Sequence, residues 1–191
     1  MTVFTWWGEP FGYADFAYNT TRLNERAVEL PIARQFLTGQ VGRLLEVGNV
    51  LSHYYPELPQ RAVVDRYEEA KGVSNIDVFR IDRTWDRIVS ISTLEHVRWD
   101  EATPREVGRS AAAVEHLRDL LAPGGRMLVT IPMGWNTPLD DWMLDGAGGA
   151  VRACTLVRHG DGWVQTKEPA VRPYGFSTAW AESVWIGEWE A

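Results

Sequence analysis

The chain has 191 residues, 45% hydrophobic and 24% charged, with a formal net charge of −7. That length supports one domain with a full core. The acidic balance, without any Lys/Arg run, argues against a nucleic-acid partner, which needs a basic face. A single cysteine, Cys154, excludes an internal disulfide and fits a reducing, cytoplasmic compartment. No basic segment leads into an apolar stretch, so neither a signal peptide nor a membrane span is expected.

Residues 1–20 carry Trp6, Trp7, Phe11, Tyr13, Phe16 and Tyr18 among Gly8, Pro10 and Gly12. No regular element is predicted there. So many aromatic residues argue against disorder and for a segment that packs across the domain and covers a pocket. A helix is predicted over 21–38, with Leu23, Ala27, Leu30, Ala33 and Leu37 at three-to-four spacing. Pro31 either kinks it or marks the meeting of two shorter helices. Arg22, Glu25, Arg26 and Glu29 lie along its polar side, read as a solvated face or as part of a cofactor pocket.

Next come the two strands around which the reading is built. Leu44, Leu45 and Val47 make an apolar run over 43–48 that breaks at Gly48, where a residue without Cβ lets the chain turn sharply. Glu46, two positions before that glycine, can face a ligand. The strand 61–65 ends in Asp65, at the place where an α/β nucleotide site holds ribose hydroxyls. Further strands are predicted over 74–77, 87–92 and 126–132. A helix over 104–121 lies between the last two, with Pro104 in its first turn and Pro123-Gly124-Gly125 ending it. The tail changes character. It reads as a helix over 136–144, then alternating segments over 152–157, 162–166 and 183–189, with a hairpin turn at His159-Gly160-Asp161-Gly162. Apolar strands interleaved with helices argue for an α/β fold, a parallel sheet finished by an antiparallel edge. No repeat or linker divides the chain. One domain over 1–191 is expected: an N-terminal segment and helix (1–40) covering the cofactor site, a cofactor-binding core (43–134) and C-terminal strands (135–191).

Four stretches in order carry a resemblance: Leu45-Glu46-Val47-Gly48, Val63-Val64-Asp65, Trp85-Asp86-Arg87-Ile88-Val89-Ser90 leading to Leu94-Glu95-His96-Val97, and Leu120-Leu121-Ala122-Pro123-Gly124-Gly125-Arg126-Met127-Leu128. At this spacing they resemble the class I S-adenosylmethionine-dependent methyltransferases. The resemblance implies a three-layer Rossmann-like sandwich whose mostly parallel seven-stranded sheet has an antiparallel last strand. It implies S-adenosylmethionine as cofactor, Asp65 on the ribose, Glu46 towards the methionine amino group and Gly48 against the cofactor. Asp77, with Asp82 competing, would accept from the adenine amino group. Glu95 and His96 fall at the edge where cofactor and acceptor meet. His96, or His53 just past the first motif, is the candidate general base, since imidazole titrates near neutrality; both also read as structural. One departure stands out: Val50 and Ser52 replace the further small residues of the glycine turn. That counts against NAD or FAD, whose pyrophosphate needs close backbone approach.

No metal site is expected, and Asp140-Asp141 reads as a solvated helix start. Trp135, Trp142, Trp163 and Trp180 are read as cleft residues for a small-molecule acceptor, with a sugar or glycan precursor suiting their faces. The alternative function is a methyltransferase-like binding or assembly module without catalysis. The oligomeric state is left open, with Trp185 and Trp189 either a dimer edge or sheet core.

Overall fold

In the computed structural model, which describes residues 3–100, 103–166, 170–175 and 180–191, the apolar runs pair into one eight-stranded sheet. Its strands are β3 (Leu44–Val47), β4 (Ala62–Val64), β5 (Val73–Ser74), β6 (Trp85–Ile91), β7 (Leu121–Pro132), β8 (Arg152–His159), β9 (Gly162–Thr166) and β10 (Ser183–Glu190). β1 (Val3–Trp6) and β2 (Glu9–Gly12) form a separate hairpin. The order across the sheet is β5-β4-β3-β6-β7-β10-β8-β9. The first five are parallel, and β10 runs antiparallel between β7 and β8. The sheet has one strand more than the seven that the resemblance implies, and the hairpin read at 159–162 is present, pairing β8 with β9.

Period-two alternation sorts the core into two layers. From β6, β7 and β10, Val89, Ile91, Leu128, Val184 and Ile186 pack on one side with α1 (Arg26–Leu37) and the hairpin's Phe4 and Phe11. Ile88, Met127, Val129, Trp185 and Trp189 pack on the other with α2 (Arg109–Asp119) and α3 (Thr137–Leu144). Helices on both faces of a mostly parallel sheet make the three-layer, Rossmann-like α/β arrangement. Trp185 and Trp189 are core, not an edge. Trp163 is likewise buried, and it lines a separate cavity of about 310 Å³ with Phe4 and Gln165.

The N-terminal segment is more regular than its composition predicts. Trp7 and Gly8 both take positive φ, at 51° and 84°. Those values at the two central positions make the tight turn that suits a twisted hairpin. The hairpin docks on β9, where the Trp7 amide donates to Gln165 Oε1 at 2.7 Å and the Trp163 amide to Tyr13 Oη at 2.8 Å. It therefore covers the β9 edge of the sheet.

Pro31 sits inside α1 without breaking it. Proline has no N–H to give the carbonyl four residues back, which is that of Ala27. The Ala14 amide donates to that oxygen instead, at 2.9 Å. The polar side of α1 is not a solvated face: Glu25 and Glu29 are buried. α2 begins at Arg109 rather than at Pro104. The stretch before it is tied elsewhere, with the Glu106 amide donating to the Arg98 carbonyl at 3.0 Å.

Asp140 corrects another expectation. It is 2% exposed, not solvated. Its Oδ2 accepts from the Gly134 amide at 2.9 Å, folding the loop that carries Trp135. Burial pushes its carboxyl up from 3.8 to about 6, against the Gly134 hydrogen bond, with Asp141 adding to the rise. A raised carboxyl favours folding while protonated, so this contribution is present at low pH and is lost as pH rises through about 6. Asp140→Asn keeps an acceptor and removes the charge. At about pH 8 it should stabilise the protein by about 1–3 kcal/mol, with no gain at about pH 4. Denaturant midpoints at the two pH values check this, and an equal effect at both excludes the charge as the cause.

Candidate functional site

The carboxyl ends of β3, β4 and β6 open on a cavity of about 440 Å³, lined by Gly48, Asp65, Asp77, Thr93 and His96 among others. Such a volume falls in the range of small-molecule and cofactor sites, and open α/β sheets bind ligands at this edge. Gly48 forms its wall with φ +87°, and a Cβ there would run into the Thr93 side chain. Only glycine gives this close approach. Val50 has ordinary right-handed helical backbone (φ −92°, ψ −54°), so the turn needs no glycine at that position.

Asp65 shapes the cavity twice. Its Oδ1 accepts from the Tyr67 and Glu68 amides at 2.9 and 2.8 Å, capping the turn after β4. Its Oδ2 accepts a longer bond of 3.3 Å from the Asn49 amide, and Asp65 itself lines the cavity. Asn49 Nδ2 donates to Glu68 Oε1 at 2.5 Å. His53 Nε2 lies 2.9 Å from that same oxygen, with its ring stacked on Tyr18. His53 is thus engaged on the outer side of Glu68. Asn49 and Glu68 line the cavity and were missed in the sequence, where nothing marks a neutral amide in a turn as a pocket residue.

Two residues of the sequence reading are differently employed. Glu46 is 1% exposed and turned under the loop. Its Oε1 accepts from the Val50 and Leu51 amides at 2.9 and 2.6 Å, and its Oε2 pairs with Arg61 Nε at 2.5 Å. A turn that needs acceptors and a neighbouring guanidinium draw it away from the cavity. Burial pushes its carboxyl up, with Arg61 opposing. Asp77 is on the wall, but its Oδ1 accepts from the Phe79 amide at 3.1 Å. Its Oδ2 accepts from Arg66 Nη1 at 2.7 Å and Arg98 Nη2 at 3.1 Å. These three donors leave the Asp77 carboxylate one acceptor position, on Oδ1, towards an adenine amino group.

A second cavity, of about 280 Å³, shares Ser92 and His96 with the first. Glu25, Arg26, Glu95, Trp135 and Tyr174 complete much of its lining. Glu95 therefore belongs to this space and not to the first. Behind it, Glu29 is fully buried and heavily bonded. Its Oε1 accepts from Ser92 Oγ at 2.6 Å and Thr130 Oγ1 at 2.7 Å, and its Oε2 from Arg26 Nη1 at 2.6 Å. Glu95 is 1% exposed, and neither carboxylate oxygen has a hydrogen-bond partner among the described residues. His96 Nε2 stands 3.4 Å from its Oε1, and His96 Nδ1 is bonded to Asp100. Burial is the main cause that lifts the Glu95 carboxyl to about 7, with His96 opposing. Burial lowers the His96 imidazole, but Glu95 and Asp100 outweigh it and the net shift is upward.

Among the described residues no group of three or more His, Cys, Asp or Glu is placed to hold a metal ion, and no helix is long and apolar enough to cross a membrane.

No family model matches the sequence, and no curated protein matches it either. Solved structures do. The chain is similar to the N-methyltransferase NodS from Bradyrhizobium japonicum WM9 in complex with S-adenosyl-L-homocysteine, at 15% identity over 87% of this chain and 90% of that one, TM-score 0.45. It is similar to the magnesium protoporphyrin IX methyltransferase ChlM from Synechocystis PCC 6803 with bound S-adenosylmethionine, at 12% identity over 83% and 73%, TM-score 0.46. It is also similar to the sugar N-methyltransferase KedS8 from Streptoalloteichus sp ATCC 53650, at 19% identity over 83% and 65%, TM-score 0.40. These likenesses are loose; the fold stands on the strand order, and the site on the residues described above.

Proposed function

We propose that the protein is an S-adenosylmethionine-dependent methyltransferase acting on a small-molecule acceptor. The observation that carries this reading is the pair of adjoining cavities, one behind Gly48 and Asp65 and one behind Glu95 and Trp135, with Ser92 and His96 common to both. The first fits a nucleoside cofactor in size and place: Gly48 lines it at φ +87°, and a carboxylate oxygen at the tip of β4 is only weakly engaged. When bound, S-adenosylmethionine supplies an electrophilic methyl group. Asp65 would hold the ribose hydroxyls and Gly48 would admit the cofactor to the backbone. Glu46 acts at one remove, by fixing the loop after Gly48.

The second cavity would take the acceptor, with Trp135 and Tyr174 giving faces for a ring such as a sugar. Holding both reactants at attack distance can remove about 7–11 kcal/mol of barrier, and this is the main contribution assigned to the fold. His96 sits at the junction between two carboxylates. Its raised imidazole leaves the protonated form more populated near neutrality, which suits orientation of its neighbours better than proton abstraction.

Calorimetric titration with S-adenosylmethionine and S-adenosylhomocysteine tests the reading. Micromolar binding is expected, weakened about tenfold to a hundredfold by Asp65→Ala, as loss of charge-assisted hydrogen bonds predicts. No heat and no thermal shift at millimolar ligand would refute it. A non-catalytic binding module would then be the remaining reading.

A further inference from the structure

We propose that the second cavity recognises a protonated primary or secondary amine carried on a ring, with the Glu95 carboxylate as its partner. Three observations converge on this. The first is a sparsely partnered carboxylate: a residue 1% exposed, lining a cavity, with no well-formed hydrogen bond to either oxygen among the described residues and His96 Nε2 3.4 Å from Oε1. Buried polar atoms without partners are uncommon, and a ligand donor is one way to satisfy them. The second is the sign of the surroundings. Arg26 is held by Glu29 at 2.6 Å, which leaves Glu25 and Glu95 as surplus acids on the cavity wall. The third is the aromatic side. Trp135 and Tyr174 stand with ring centroids 5.3 Å apart and line the same space. Aromatic faces attract cations as well as flat rings.

The wall itself is held in place for this task. Asn136 Nδ2 donates to the Glu95 carbonyl at 2.8 Å and to Ser110 Oγ at 3.0 Å, fixing the turn that presents the side chain. Trp135 Nε1 donates to Asp100 at 3.2 Å, which ties the indole to the residue that also holds His96. The groups facing Glu95 are Glu25, Arg26 and Glu29 from the α1 side, His96 from its own turn, and Tyr174. Arg26 is paired with Glu29 and His96 with Asp100, which leaves Glu25 and Glu95 as the acids without a full counter-charge, and an ammonium answers them.

The step proposed is a proton transfer. An N–H bond of the ammonium breaks, an O–H bond forms on Glu95, and the electron pair stays on nitrogen as the lone pair that an attack on an electrophile requires. Glu95 is suited to both roles. Its carboxyl, lifted by burial to about 7, is ionised above neutrality and is a stronger proton acceptor than an ordinary glutamate. As the acceptor site of a methyltransferase the cavity rests on the function proposed above, but amine recognition needs no cofactor and is tested without one.

The test is saturation-transfer NMR on the full chain with benzylamine and benzyl alcohol as matched probes, at about pH 8. Benzylamine should bind at millimolar concentration, about tenfold or more tighter than the alcohol. Glu95→Gln should erase that preference, and Asp65→Ala in the other cavity should leave it intact. The preference should also shrink at about pH 6, where Glu95 takes up its proton. Trp135→Ala should weaken both probes in a protein that melts normally, which keeps the test valid if Glu95→Gln fails to fold. Equal binding of the two probes, no binding of benzylamine, or a preference that survives in folded Glu95→Gln would each overturn the proposal. A failed cofactor titration beside an intact amine preference would remove the methyltransferase reading and leave the amine site standing.

Discussion

Gly48→Ala is expected to abolish cofactor binding and to destabilise the fold by about 2–5 kcal/mol. Two effects add. The residue sits at φ +87°, where an L side chain costs about 1–2 kcal/mol. The new methyl also meets Thr93 Oγ1 and Cγ2, which cannot swing aside without cost, because Thr93 Oγ1 donates to the Ile91 carbonyl at 2.9 Å. The backbone on both sides is constrained too: the Gly48 amide donates to the Val64 carbonyl at 2.8 Å, linking β3 to β4. Thr93→Ala in the same chain should recover part of the stability, since it removes the Oγ1 and Cγ2 contacts but neither the Cβ contact nor the dihedral. Thermal melts and an S-adenosylhomocysteine titration on the single and double variants read this directly. A Gly48→Ala protein with unchanged melting and micromolar binding would show that neither the dihedral nor the collision matters.

Glu29→Ala should cost about 3–5 kcal/mol of stability, the usual consequence of removing one partner of a buried ion pair. Arg26 would lose its nearest counter-charge, and Ser92 and Thr130 would lose the acceptor for both hydroxyls. The Arg26 guanidinium is lowered by burial but raised more by Glu29 and Glu25, so the net shift is upward and reports how closely the charges are matched. Glu29→Gln keeps one acceptor and gives up the ion pair, so its loss should be smaller than that of the alanine variant. Urea midpoints measure the difference. A loss below about 1 kcal/mol for Glu29→Ala would place this carboxylate among surface pairs, which contribute little.

The sheet was legible because its evidence is local. Continuous apolar runs end in Gly48, Asp65 and Ser92, and those strand ends line the first cavity. What escaped was set by partners distant in sequence. Glu29 looks like a solvated helix residue until Thr130, 101 positions away, donates to it. Tyr174 and Glu25 meet across the second cavity with no spacing to announce them. Glu46 was read towards a ligand because its place after Leu45 is right. Two backbone amides of its own loop were better placed to claim it. The hairpin of residues 3–12 was missed because it needs Trp7 at positive φ, which that residue type seldom adopts.

The bond from Ala14 to the carbonyl left open by Pro31 ties the segment after the hairpin to α1. Segments so joined open together, and the lifetime of the whole is shared by its parts. In hydrogen exchange the Ala14 amide should report the opening of α1, not that of a terminal strand. Glu25 and Arg26, at the head of that helix, form one wall of the second cavity. Loosening Phe4 or Phe11, which pack in the same layer as α1, should therefore raise exchange at the Ala14 amide and along α1 together.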